Sequence, residues 1–270
     1  ETVIRVDGNA FHTFTRGFER PFDSIMAESM QRTMKYMCEN ISGCVLGYTQ
    51  SDEITLLLID YKKKNQGAWF GYVKRKVETI AASMATMAFN EAFSDVITEK
   101  ISEDIMKVHN DEEAEKVKDY YFKYVKKCGR AMFDARAFNI PEFEVVNEFI
   151  WRQQDCTRNS IQSVGHANFS DKKMHKKNMS QIQDMLMLKK GINWNDFPTF
   201  LKRGSCCIKE DYFIPENELP ENHRNNLSPR TLDPEEDEYG VWRSRWVIDK
   251  EIPIFTQNKN YVNDLFLNKH

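Results

Sequence analysis

The chain lacks any apolar run approaching ~20 residues, which excludes a transmembrane helix by length alone. No signal-like stretch follows Glu1, although residues upstream of it remain open. Its six cysteines, at positions 38, 44, 128, 156, 206 and 207, form no Cys-x-x-Cys pair and no zinc spacing. The adjacent Cys206-Cys207 lacks partner ligands for a metal, so the thiols read as reduced and partly buried, which fits a cytoplasmic protein. An overall excess of positive charge is also missing: the net charge is −3. Any polyanion site must therefore be local. One such segment exists. From Thr157 to Lys209 there are ten Lys plus Arg against three Asp, leaving the rest of the chain near −10. The same pattern also describes a lysine-studded solvated helix.

One further absence organises the reading. Val45-Leu46 and the run Ile54 to Ile59 read as two strands of a hairpin, the second buried on both faces. Its tip has no Asn-Gly or Asp-Gly. Gln50-Ser51-Asp52-Glu53 stands there instead, placing two carboxylates against an apolar strand. Such groups repel one another and lose hydration, so they call for a cation. A second short strand, Val3 to Val6, ends in Asp7-Gly8. Carboxylates at the end of one strand and on a neighbouring hairpin are how palm-type nucleotidyl transferases hold two Mg²⁺ ions. Magnesium takes one or two protein carboxylates and fills its shell with phosphate and water. Gly8 allows close approach of its carbonyl.

Asp7-Gly8-Asn9-Ala10-Phe11-His12, Phe18-Glu19-Arg20-Pro21-Phe22-Asp23 and Gly47 to Glu53 together resemble the tRNA-histidine guanylyltransferase family and its guanylyltransferase-like branch. The resemblance continues in order at Trp69-Phe70 with Lys76, at Phe133-Asp134-Ala135-Arg136, at Trp151 to Cys156 and at Lys202-Arg203-Gly204, covering about residues 1 to 210. It implies 3′-to-5′ nucleotide addition to the 5′ end of tRNA, with ATP activating a 5′ phosphate and the 3′-hydroxyl of GTP or another nucleoside triphosphate attacking it. Asp7, Asp52 and the Gly8 carbonyl are then the ligands of two Mg²⁺ ions, with Glu53 completing the catalytic acidic site. Asn9, Ala10 and Phe11 cradle a triphosphate through their backbone, His12, Arg20, Ser51 and Lys76 face it, and Asp23 lies toward the base. Arg136, Arg152, Asn159, Lys172, Lys173, Lys176, Lys177, Lys202 and Arg203 are the expected RNA-binding residues.

Two departures bear on the branch. Relatives commonly carry Lys where Arg20 stands, and a planar guanidinium meets phosphate differently. The eukaryotic enzymes carry His-Ile-Asn-Asn-Leu-Tyr-Asn where this chain has Thr157 to Ser163, with Asn159 alone in register. That favours template-directed repair of 5′-truncated tRNA over dedicated G addition to tRNA-His. A palm-fold nucleotide cyclase would use the same metals but leaves Trp151 to Cys156 unexplained, and a silent RNA-binding module would not need three carboxylates. The family also implies a homotetramer.

The expected element order is β-α-β-β-α-β over residues 1–140, an α+β, ferredoxin-like palm with an antiparallel sheet and helices on one face. Within it, a helix from Asp23 to Ile41 carries a methionine stripe, a second runs from Trp69 to Phe93, and residues 97–127 are charged helices. Residues 141–270 form a C-terminal extension packing on the palm. It holds a helix from Pro141, a capping box at Ser180 to Gln183 before a helix ended by Gly191, an exposed proline-rich loop over 215–238 and a late strand or hairpin around Val241 to Ile248.

Overall fold

A computed structural model describes residues 1–61, 66–223, 227–230 and 238–267. The expected Lys62–Lys64 loop and much of the 215–238 loop lie outside these residues. In chain order the elements are β1 (Thr2–Gly8), α1 (Phe11–Phe14), α2 (Ser24–Asn40), β2 (Cys44–Gln50), β3 (Glu53–Leu58), α3 (Lys74–Ile105), α4 (Asp111–Val125), β4 (Phe133–Asn139), α5 (Val145–Asn168), α6 (Asp171–Met174), α7 (Met179–Lys190), α8 (Thr199–Arg203), β5 (Ser205–Pro215), β6 (Ser228–Pro229), β7 (Tyr239–Asp249) and α9 (Asn260–Leu267).

The first four strands take the order β4-β1-β3-β2, every neighbouring pair antiparallel, which is the ferredoxin-like palm. Successive side chains of a strand point to opposite faces. Ile4, Val6, Ile54, Leu56 and Leu58 therefore bury under α2 and α3, while Val3, Leu57 and Ile59 bury on the other face. That second face is sealed by Val145, Val146 and Phe149 of α5 and by Ile252, Phe255 and Val262. The palm helices lie on one face as expected, and the C-terminal extension supplies the other cover.

Three boundaries differ from expectation. Helix α3 continues to Ile105, because neither Gly nor Pro interrupts residues 74 to 105. Its buried face is Val77, Ala81, Ala85, Phe89 and Phe93, whereas the larger Val73 and Met87 are exposed. Small alanines bring this helix close to the sheet, so side-chain size is a poor guide to its buried face. The capping box is Asn178 with Gln181 rather than Ser180 with Gln183: the Asn178 side chain accepts from the Gln181 amide at 2.9 Å, and the Gln181 side chain accepts from the Asn178 amide at 3.1 Å. Finally, β5 joins β2 at Gly47–Thr49, so the late β7 pairs with a strand the sequence did not announce. The sheet thus reaches seven strands and crosses the expected division at residue 140.

Candidate active site

Strand register decides which groups meet. Asp7 stands opposite Glu53 of β3 on one side and Asp134 of β4 on the other. The Gly8 amide donates to the Asp52 carbonyl at 3.1 Å, closing the end of β1 onto the hairpin tip. Burial and the neighbouring carboxylates Asp52 and Asp134 push the Asp7 carboxyl above the ordinary range, with Arg136 pulling it back. Burial also raises Asp52, against the Ser51 hydroxyl, which donates to its carboxylate at 2.9 Å. The exposed carboxylate of Asp7 and the half-buried one of Asp52, beside a glycine carbonyl, make an all-oxygen donor set that fits Mg²⁺. Among the described residues no three His, Cys, Asp or Glu side chains converge on one metal position. The protein's share would then be Asp7, Asp52 and the Gly8 carbonyl, with phosphate and water supplying the rest.

Gly8 has a second reason to be glycine. A Cβ there would meet the Phe11 ring at 2.3 Å. Phe11 is locked in turn against Phe14, Phe89 and Phe133. The chain turns through Ala10 in the left-handed region, at φ 55°, into the short helix α1. Its first amides have no acceptor within the helix. The amide of Asn9 is committed to the Met132 carbonyl at 2.8 Å, so the cradle expected of Asn9, Ala10 and Phe11 loses that donor.

Next to Asp52 opens a cavity of about 530 Å³. Its wall includes His12, Arg20, Asp23, Ser51 and Asn159, five of the residues singled out from the sequence, and it ends against Phe18, Pro21, Phe22 and Met26. Its lining joins the polar or basic side chains of His12, Arg16, Arg20 and Ser51 to an aromatic and apolar surface, a match to a nucleotide's phosphates and base. Asp23 is also the N-cap of α2. Its carboxylate accepts from the amides of Met26 at 2.9 Å and Glu19 at 3.0 Å and from the Tyr124 hydroxyl at 2.6 Å.

The structure places the other expected residues as follows. Lys76 does not line this cavity. Farther along α3, the Thr86 hydroxyl accepts from the Phe133 amide, and Phe133 is the register partner of Gly8 at the Asp7 end of the sheet. Lys76 precedes Thr86 by about 15 Å of helix rise, which puts it toward the opposite end of the strands. Its ammonium rests over the Phe70 ring at 4.4 Å. Arg152 is buried and pairs with Glu53 at 2.8 Å, so it is not a surface RNA-binding group. Glu53 is held by that guanidinium and faces Arg5 at 3.9 Å. Lys202 is buried and donates to the Asn195 carbonyl at 2.5 Å. Arg203 is half-buried, and its carbonyl accepts from the Tyr48 hydroxyl. Lys172, Lys173, Lys176 and Lys177 are exposed around α6, and Arg136 is exposed on β4 two residues from Asp134. Asp134 and Arg5 also stand at this end of the sheet, although the sequence assigns neither a role in the site. Their positions opposite Asp7 and beside Glu53 follow from register, which single-strand patterns do not reveal.

Comparison with known proteins shows which family the chain resembles. The family model described as Thg1, tRNAHis guanylyltransferase, matches residues 1–141. A bacterial tRNA(His) guanylyltransferase (Thg1)-like protein solved in complex with ATP is 37% identical, with a TM-score of 0.74, covering 99% of this chain and 90% of that one. A bacterial protein of the same description in complex with GTP is 34% identical, with a TM-score of 0.68, covering 98% and 88%. Uncharacterized protein R259 of Acanthamoeba polyphaga mimivirus is 30% identical over 217 residues, 77% of this chain and 69% of that protein.

Proposed function

The chain belongs to the tRNAHis guanylyltransferase family and is a nucleotidyltransferase of its Thg1-like branch, and we propose that it adds nucleotides in the 3′-to-5′ direction to truncated tRNA 5′ ends under template control. The observation that carries this reading is the position of Asp52, which is at once a wall of the nucleotide-sized cavity and tied through its backbone to Gly8, beside Asp7.

The first step moves AMP from ATP to the 5′-monophosphate of the RNA, releasing pyrophosphate. In the second, the 3′-hydroxyl of an incoming nucleoside triphosphate attacks the activated phosphate and AMP leaves. Phosphoryl transfers of this kind depend on positioning and charge neutralisation more than on covalent help. Asp7, Asp52 and the Gly8 carbonyl would hold Mg²⁺, which supplies neutralisation of the phosphate charge. His12, Arg20 and Ser51 orient the triphosphate, and the apolar end at Phe18, Phe22 and Met26 receives a base. The exposed Lys172, Lys173, Lys176 and Lys177, with Arg136, bind the RNA backbone, so the 141–270 extension carries most of the RNA side.

Template control rests on the wall contributed by α5. Asn159, Ser160 and Ser163 line the cavity where the eukaryotic relatives have their distinctive segment. This wall has small polar groups and no imidazole, which leaves the pairing strand to select the incoming base. The test is kcat/KM for 5′-truncated tRNAs carrying each opposing base. Addition of whichever nucleotide restores a Watson–Crick pair is expected. A strong preference for G whatever the opposing base would restore dedicated G addition.

A further inference from the structure

Glu53 and Arg152 are 99 residues apart in the chain yet form a buried pair, their side chains 12% and 7% exposed. Glu53 Oε2 accepts from Arg152 Nη1 at 2.8 Å. Its other oxygen, Oε1, accepts from the Thr55 hydroxyl at 3.3 Å and faces Arg5 Nε at 3.9 Å. Arg5 is in turn ion-paired with Glu148 of α5. The Arg152 guanidinium is stacked over the Trp151 ring at 3.9 Å and lies 3.6 Å from Asp155. Both oxygens of Glu53 are thus engaged by protein groups, in a site largely closed to water.

The position of this pair gives it a consequence. Glu53 follows Asp52 in the chain and is the register partner of Asp7. Arg152 lies one helical turn before Cys156, and two turns before Asn159 and Ser160, all three of which line the nucleotide cavity. The pair therefore joins the strand end that presents Asp52 to the helix that walls the cavity. We infer that Glu53 is not a cation ligand but the anchor of a clamp, and that Arg152 is a positioning residue which fixes Asp52 relative to the nucleotide wall by holding that anchor. A guanidinium suits this task because its planar fork orients a carboxylate, which a lysine ammonium does not. Thr55 and Arg5 occupy the second oxygen.

This inference rests on the reading of Asp7 and Asp52 as the cation ligands, and the test separates the two. Mn²⁺ binding in the presence of a non-hydrolysable ATP analogue is measured for the wild type, Asp52→Asn, Glu53→Gln, Arg152→Met, Arg152→Lys and the double variant Glu53→Gln/Arg152→Met. Steady-state AMP transfer is measured well below each variant's melting temperature. Asp52→Asn is expected to lose Mn²⁺, whereas Glu53→Gln keeps its affinity to within roughly twofold. Glu53→Gln and Arg152→Met each lower kcat by about tenfold or more with KM for ATP little changed, and Arg152→Lys recovers only part of that loss. The double variant loses no more than the worse single variant, because both substitutions break one link.

Loss of Mn²⁺ by Glu53→Gln to the same degree as by Asp52→Asn makes Glu53 a ligand and overturns the clamp. Normal kcat in folded Arg152→Met, or single losses that multiply in the double variant, overturns it as well. Should Arg152→Met not fold, Arg152→Lys and Glu53→Gln carry the same comparison, and a normal kcat in both overturns the clamp. Mn²⁺ retained by Asp52→Asn removes the cation reading itself, and the clamp with it.

Discussion

The amide of Gly8 donates to the carbonyl of Asp52 at 3.1 Å, across the junction between the first strand and the hairpin tip. This bond fixes the backbone of Asp7-Gly8 against Asp52 independently of any ligand. The acidic end of the sheet is therefore set by strand pairing, and partial burial raises both carboxyls above their ordinary range.

Asp7→Ala and Asp52→Ala are each expected to abolish AMP transfer and nucleotide addition, by about 10³-fold or more, since a lost ligand removes several kcal/mol of charge stabilisation. The protein should stay folded by circular dichroism. Near-normal turnover in a folded Asp52→Ala variant would rule out the two-carboxylate site.

Asp7→Asn should stabilise the protein in chelator while eliminating activity. The folded-state pKa of Asp7 lies above its ordinary value, through burial and then the nearby Asp52 and Asp134. The native state consequently binds more protons than the unfolded chain, and stability falls as pH rises through the interval between the two values. The amide variant lacks that loss. Its Tm advantage should appear as pH rises from acid toward neutral, and Tm measured across that range in EDTA checks it. An advantage that is largest at the acid end would contradict the assignment.

Gly8→Ala places a methyl group within 2.3 Å of the Phe11 ring. That ring is held by Phe14, Phe89 and Phe133, so it cannot move without disturbing the core. A destabilisation of about 1–3 kcal/mol is expected, as for other overpacked sites. Combining it with Phe11→Leu should recover part of the lost Tm. No recovery would place the strain in the backbone instead.

Changing Lys172, Lys173, Lys176 and Lys177 together to Glu should weaken tRNA binding and reduce the slope of log affinity against log salt by up to about 4, one for each phosphate no longer neutralised. KM for ATP should change little, because none of these four lines the cavity. Unchanged tRNA affinity and salt slope would make the cluster an ordinary solvated face.

The parts of the site legible in the sequence are those whose signal is local. A strand ending in Asp7-Gly8 and a hairpin tip carrying Asp52 announce themselves within a few residues, and β1, β2 and β3 follow from the same stretches. Long-range pairing is invisible in this way. Arg152 reads as a free cation because its partner Glu53 is remote in the chain, and Lys202 reads as exposed although a lysine stem can be buried while its ammonium caps a carbonyl. Strand β5 is hard to recognise because Lys209, Glu210 and Asp211 break its apolar pattern where it leaves the core to pair with β7 alone. The buried face of α3 is misleading because alanine, not methionine, faces the sheet.

The placement of β1 also bears on the order of events during synthesis. It is the earliest of these strands to be made, yet it ends inside the sheet, with β3 on one flank and β4 on the other. A growing chain that has not yet reached Phe133 already contains Asp7 and Asp52 but lacks β4, the second neighbour of β1. Until then the first strand has one unpaired edge, of the kind that recruits other strands. The central β1 therefore gains its second neighbour only when about half of the chain has been made.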